Sequence, residues 1–426
     1  MTLITESEPS RVFDDERTAH WVAFYRDLHA HPELSTQEVR TAQKLAEQLR
    51  ASGFTVTEGV GGTGVVGILE NGAGPTVMLR GDMDGLPILE ETDLPWRSRH
   101  RQIGPDGTEQ PTMHACGHDM HVTALAAGAE LLAASKSTWS GTLMIVGQPA
   151  EETAVGARDM LEDGLFTRFP KPDIALGQHV GPMPVGRVGH AAGLVMAACA
   201  NLDVTIFGKG GHGSMPANTV DPVVAAAYAI TRLQAISSRE AYADDPVVVT
   251  VGVLQGGTKS NIIPETVHFT VNLRARSDET MERTIAAVRR IVQAEAEAAG
   301  SPKPAIVHVR EHAPATVNTA DAVERVFGAH QEISGTNTVM IPPLMGSEDF
   351  SEYGIPGERY PGDPVPYVFW FWGGMDPARF PEDSTAFMSA GVPGNHSARF
   401  ELVDAPTIDL GARLLSRAAL EFLAPH

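Results

Sequence analysis

The stretch Met113-His114-Ala115-Cys116-Gly117-His118-Asp119-Met120-His121 puts one thiol, three imidazoles and a carboxylate into nine residues. Cys116 and His118 stand two apart around a glycine, so in an extended loop both side chains turn towards one point. Thiolate with neutral imidazole is a combination that divalent metals bind well. The same residues also read as a small buried hydrophobe beside a hydrogen-bonded histidine patch. A zinc deaminase requires a second, paired cysteine signature, and the only other cysteine, Cys199, has none nearby. A nucleophilic Cys116 is less suited to a surround of histidines and acids. Ligands contributed from elsewhere in the chain decide between these readings.

Such ligands are found where apolar runs end. Thr76-Val77-Met78-Leu79-Arg80 runs into Gly81-Asp82-Met83-Asp84, Thr142 to Gly147 into Gln148-Pro149-Ala150-Glu151-Glu152, and Asp173 to Gln178 into His179. Short runs apolar on both faces predict central strands of an α/β sheet, and sites of such sheets lie past the carboxyl ends of the strands. Of two adjacent glutamates in that position, one can bind a metal while its neighbour stays free as a base. Asp82 or Asp84 can orient a metal-binding histidine. His29 and His31, beside Pro32 at a helix end, are read as packing or hydrogen-bonding residues first and as ligands second.

The remaining pattern predicts what must position these groups. A helix is expected from Thr18 to about Leu28, and another after a capping box at Ser35-Thr36-Gln37-Glu38, with Val39, Ala42, Leu45, Ala46 and Leu49 at helical spacing and Gly53 ending it. A polar, turn-rich loop from Glu90 to Pro111 leads into the Cys116 cluster, which opens a buried helix. Beyond residue 192 the rhythm changes. Alternation over Ala200–Phe207, a loop at 208–216, a helix opened by Asp221-Pro222 through Val223, Ala226, Ala227, Ile230 and Leu233, strands 247–254 and 266–276, a helix near 278–299 and a strand at 305–309 give the order β-α-β-β-α-β of a ferredoxin-like split unit. Arg274 shares a strand face with His268 and Asn272. The chain then returns to the first domain through a strand, Tyr367 to Trp372, that reads as core or as an acyl-pocket lining, and a helix from Ala405 to Leu423.

Composition limits the function classes. The 426 residues suffice for two domains, and the formal net charge of −21 argues against nucleic acid or an anionic membrane as partner. No apolar run reaches membrane-spanning length. Met1 to Glu16 is polar and acidic, unlike a signal peptide, and two cysteines make no disulfide framework. The expected location is the cytoplasm.

Asp27 to Glu33 (DLHAHPE), Arg80 to Pro87 (RGDMDGLP), Met113 to His121, Gln148 to Glu152 (QPAEE), Gly208 to Pro216, Ser260 to Pro264 (SNIIP), Met345 to Phe350 and Asn395 to Ser397 together span nearly the whole chain. In that order they resemble the metallo-aminoacylase and carboxypeptidase superfamily, in its amidohydrolase branch of hippurate hydrolases, indole-acetyl-amino-acid hydrolases and N-acetyl-diaminopimelate deacetylases. The resemblance implies a two-domain α/β fold: a mixed-sheet α/β/α catalytic domain over 1–194 and 313–426, with an inserted ferredoxin-like lid and dimerisation domain over 195–312. It implies two divalent ions per subunit, zinc, manganese, cobalt or nickel, with Cys116, His118, Glu152, His179 and His396 as ligands, Glu151 as general base and Asp84 or Asp82 behind the ligands. His212 would stabilise the oxyanion, commonly across a homodimer interface, and Asn261, Arg274, Gly346 and Ser347 would hold substrate. The implied substrate is an N-acyl amino acid or related small amide. The alternatives are a dipeptidase or carboxypeptidase of the same superfamily, and a non-catalytic, metal-stabilised binding protein.

Overall fold

The computed structural model describes residues 12–357, 360–381 and 391–425. Most of the polar N-terminal stretch, residues 1–11, lies outside them. The chain forms two compact units, one of Met1–Val195, Val317–Pro342 and Asp349–His426, the other of Met196–Thr316 and Pro343–Glu348.

The first unit is built on a nine-stranded mixed sheet whose central strands are, in spatial order, Trp139–Gln148, Thr76–Asp82, Ile174–Pro184 and Tyr367–Met375. These four are mutually parallel. They are buried nearly throughout, which is why they read as uninterrupted apolar runs rather than as alternation. Gly64–Asn71 pairs antiparallel outside Trp139–Gln148 and turns the sheet mixed. The strand carrying His179 is longer than its apolar run predicts. Its pairing with Thr76–Asp82 stops at Arg80↔Gly177, so His179 lies beyond that neighbour although it is inside its own strand. Trp370 donates to Gln178 in the core, so the Tyr367–Trp372 segment is core strand, and it runs on through Gly373-Gly374 to Met375 instead of ending there.

Two helices do the positioning. His118–Ala134, buried almost all round, packs against Asp404–Leu420. A Cβ on Gly411 would meet the Ala124 Cβ at 2.9 Å, so the glycine sets how closely the two backbones approach. Asp15–His29 is capped by Asp14, which accepts from the Arg17 N–H. The helix Val39–Ala51 corrects the capping-box expectation: no side chain of Ser35-Thr36-Gln37-Glu38 caps it. Glu33 does, accepting from the N–H groups of Arg40 and Thr41 at 2.9 and 2.7 Å, while the Ser35 hydroxyl goes to Asp84. Val39, placed on the apolar face by its spacing, is 66% exposed.

The second unit holds a four-stranded antiparallel sheet in the spatial order Val247–Gly256, Thr266–Ala275, Ala198–Phe207, Ile306–Ala313, with helices Pro222–Ala235 and Asp278–Ala298. With the chain order β-α-β-β-α-β this is the ferredoxin-like arrangement. Asp221 caps the first helix and Pro222 begins it, as expected, but the buried face is Pro222, Ala225, Ala226, Ala229 and Leu233; Val223 and Ala227 point outward. The 208–216 loop contains a two-residue strand, Gly211–His212, paired with Ile262–Ile263. Pro343–Glu348, expected in the first domain, belongs to this unit: Ala197 N–H reaches the Leu344 and Gly346 carbonyls, and Arg274 donates to the Met345 carbonyl and the Ser347 hydroxyl, both at 3.1 Å. No helix among the described residues is long and apolar enough to cross a membrane.

Candidate metal centre

Cys116 and His118 come together because Gly117 takes the left-handed conformation, φ +87°, immediately before the helix that starts at His118. A Cβ there would stand 2.4 Å from Val180 Cγ1, so this turn lies tight against the strand bearing His179. The Cys116 Sγ is 3.4 Å from His179 Nε2. His179 Nδ1 donates to the Val180 carbonyl at 2.8 Å, which fixes the tautomer and leaves Nε2 as a lone-pair donor facing the sulfur. His118 Nδ1 is 3.2 Å from Asp84, and its Nε2 is 3.8 Å from both Glu151 Oε2 and Glu152 Oε1. His396 Nε2 is 3.3 Å from Glu152 Oε1. His396 has φ +67° and donates its backbone N–H to the Ala115 carbonyl at 2.8 Å. Asn395 bridges the Cys116 and Val180 carbonyls, so the late loop is stitched to both ligand-bearing segments.

The donors converge as overlapping groups: Cys116, His118 and His179; Cys116, Glu152 and His396; His118, Glu151 and Glu152. Asp82, His118 and His121 form a further group, but Asp82 is already engaged by Arg80 at 2.5 Å and by His121. In turn His121 Nε2 accepts the Val180 N–H at 2.9 Å. His121 therefore supports the His179 strand, a role its place in the nine-residue motif did not reveal. His114 stands apart from these groups, and burial pushes its pKa down to about 4.

Electrostatics favour added positive charge. Burial, then Glu152, Glu151 and Asp82, push the Cys116 thiol well up, so without a cation the sulfur keeps its proton. For His118 burial pulls the pKa down, but Asp82, Asp84 and Glu152 outweigh it and hold it at about 10. Burial and His121 keep His179 neutral, its pKa lowered. His118 Nε2 and Glu152 Oε1 are buried with no hydrogen-bond partner, which is costly unless something else satisfies them. Soft sulfur, imidazole nitrogen and carboxylate oxygen around such a charge deficit fit divalent cations.

The other sequence-derived residues lie in the second unit. His212 is exposed, and its Nδ1 is occupied by the Ser214 N–H and hydroxyl, so Nε2 is the atom left for another partner. The Asn261 carbonyl accepts from Gly213 N–H, which keeps Asn261 beside the His212 strand. Arg274, half-buried, joins Asn272 to Ser347.

Residues 78–420 match the model of peptidase family M20/M25/M40. The chain is 36% identical to hippurate hydrolase of Campylobacter jejuni, over 76% of this chain and 82% of that one. It is 32% identical to thermostable carboxypeptidase 1 of Saccharolobus solfataricus, over 93% and 94%. A Bacillus subtilis structure described as a dinuclear metal-binding peptidase of family M20 superposes with a TM-score of 0.73 at 27% identity, covering 96% of this chain and 98% of that one.

Proposed function

Because the chain belongs to peptidase family M20/M25/M40 and is a metal-dependent amidohydrolase, we propose that it hydrolyses the amide bond of N-acyl amino acids at a dinuclear centre held by Cys116, His118, Glu152, His179 and His396. The observation that carries this reading is the convergence of thiol, imidazoles and carboxylate with His118 Nε2 and Glu152 Oε1 buried and without a hydrogen-bond partner. When bound, the two ions supply Lewis acidity and an acidified water. Glu151, held at its backbone N–H by Asp84, takes the water's proton and delivers it to the amine nitrogen as the C–N bond breaks. Asp84 keeps His118 in place through Nδ1. In the second unit His212 Nε2 donates to the developing oxyanion, and Arg274, with Asn261, Gly346 and Ser347, binds the substrate's carboxylate.

The test is release of free amine from N-acetyl, N-benzoyl and indole-acetyl amino acids by protein of measured metal content. At least one of these is turned over, turnover stops on chelation, and it returns with zinc, manganese, cobalt or nickel. Turnover that survives complete stripping of metal refutes the reading. The carboxypeptidase relative supports a second one, cleavage of unblocked peptides at the C-terminus; faster release from such peptides than from any N-acyl amino acid selects it. Bound metal with no turnover of either class leaves the binding-protein alternative.

The partner is a second copy of the chain. Val247–Gly256 is an edge strand with Val248, Val253 and Leu254 exposed, and the neighbouring helix exposes Val223, Val224 and Tyr228; open edges with apolar side chains invite pairing. The expected sedimentation result is a dimer for the wild type and a monomer for Leu254→Lys. A wild type that sediments as a monomer ends this proposal.

A further inference from the structure

The turn that presents the two glutamates is hung from two carboxylates. Three consecutive backbone N–H groups are taken by them: Ala150 donates to Glu38 Oε1 at 2.8 Å, Glu151 to Asp84 Oδ1 at 3.2 Å and Glu152 to Asp84 Oδ2 at 3.0 Å. Glu38 has no solvent exposure. Its Oε1 also accepts the Thr36 N–H at 2.9 Å, and its Oε2 the Thr63 hydroxyl at 2.5 Å. Both residues whose N–H groups meet at Oε1 are in the left-handed region without being glycine: Thr36 at φ +69° and Ala150 at φ +51°. L side chains enter that region at a cost, and it persists only where the surroundings impose it. The carboxylate of Glu38 is the acceptor common to both points, and Ala150 directly precedes Glu151.

We propose that Glu38 is a positioning residue for the reaction, holding Ala150 in its left-handed turn so that Glu151 and Glu152 leave the strand end in the directions that base and ligand require. Resting on the roles given above to Glu151 and Glu152, this assigns a task to a residue more than a hundred positions upstream that touches neither substrate nor metal. Without the Oε1 acceptor, Ala150 relaxes towards negative φ, and the two following side chains swing with it. Asp84, which accepts from the Glu151 and Glu152 N–H groups, is then the one carboxylate of the two left on the turn. Burial, with Asp84 beside it, pushes the Glu38 carboxyl up to about 7, in keeping with an acceptor role that needs an oxygen in place more than a full charge.

The experiment measures kcat, KM, metal affinity by chelator competition and thermal midpoint for the metal-loaded wild type, Glu38→Ala, Glu38→Gln and the double variant Glu38→Ala/Ala150→Gly. Glu38→Ala lowers kcat about 100-fold, the scale of a reacting group displaced by an ångström. It weakens metal binding by about 10- to 100-fold, as loss of a supporting partner does. Glu38→Gln, which keeps an oxygen at Oε1, recovers most of both losses. Ala150→Gly, which adopts positive φ freely, returns about tenfold in kcat to Glu38→Ala without restoring its thermal midpoint. If Glu38→Ala does not fold, Glu38→Asp, a methylene too short to span to Ala150, reads the same two losses. Metal affinity and kcat within twofold of wild type in Glu38→Ala or Glu38→Asp overturn the proposal. So does a loss that glycine at 150 leaves untouched, because Glu38 would then support only the fold. If Glu151→Gln keeps its turnover, the assignment of the base has failed, whereas a normal Glu151→Gln deficit beside an unaffected Glu38→Ala sinks the Glu38 proposal alone.

Discussion

Glu151→Gln retains its bound metal and loses roughly 10³-fold or more in kcat, the scale of removing a general base. The two glutamates have identical chemistry and stand equally far, 3.8 Å, from His118 Nε2, so distance to that nitrogen does not tell base from ligand. Their other neighbours do. It is Glu152 that approaches His396 at 3.3 Å and shares a donor group with Cys116, which places its Oε1 among two sets of donors and makes it the residue that would hold metal. Glu151 joins the donor group of His118 and Glu152. Glutamine at 151 is isosteric and keeps the backbone bond to Asp84, but its amide cannot take a proton from water at neutral pH, so the loss falls on kcat with metal content intact. Glutamine at 152 instead weakens a ligand, so metal content falls with activity. Metal analysis beside steady-state kinetics checks both: near-wild-type kcat in Glu151→Gln removes the base assignment, and metal loss in Glu151→Gln with retention in Glu152→Gln exchanges the two roles.

What was legible in the sequence follows from which interactions are local. The central strands announce themselves because a strand buried on both faces has no polar position to spare, and the polar residues that follow each run stand out by contrast. Asp84, Glu151 and His179 are visible for that reason, and the structure brings them together with Cys116, His118, Glu152 and His396. Contacts made across the fold are not visible in this way. Ser35-Thr36-Gln37-Glu38 satisfies the capping-box pattern, yet Ser35 serves Asp84 and Glu38 serves Ala150, because burial against the site competes for the same oxygens and wins. The helix phase at 222–235 was undetermined locally: Val-Val-Ala-Ala-Ala-Tyr-Ala-Ile offers an apolar residue on every side, and only packing selects Ala225, Ala226 and Ala229. Pro343–Glu348 carries no period at all, so its membership of the second unit rests on backbone bonds to Ala197 and on Arg274 that no spacing encodes.

His29→Ala destabilises the protein by about 3–5 kcal/mol, the cost of breaking a buried ion pair by removing one partner. The sequence predicts for His29 a helix-end place with a packing or hydrogen-bonding role; the structure finds it 3% exposed, its Nδ1 2.7 Å from Asp119 Oδ2 and its Nε2 3.1 Å from Glu90 Oε1. Burial opposes its charge, but hydrogen bonds to Asp119 and Glu90 prevail and raise its pKa to about 10. An imidazolium thus ties the helix after the metal loop to the loop at 90–98, and the next residue of that loop, Glu91, donates its N–H to the Ala398 carbonyl two residues past His396. Removing the ring leaves two carboxylates buried face to face without their counter-charge. The pH dependence has a definite sign. Because His29 titrates higher folded than unfolded, its contribution is complete below about 6.5, the value for a free imidazole, and is lost as pH rises through about 10. Asp119 and Glu90, both lowered, contribute above the ordinary carboxylate range and lose that contribution in acid. Denaturant unfolding of wild type and His29→Ala therefore shows the widest gap near pH 6 and a narrowing one from pH 7 to 10; a gap that stays constant or widens over that interval means that His29 acts as a neutral ring and the ionic tie is absent.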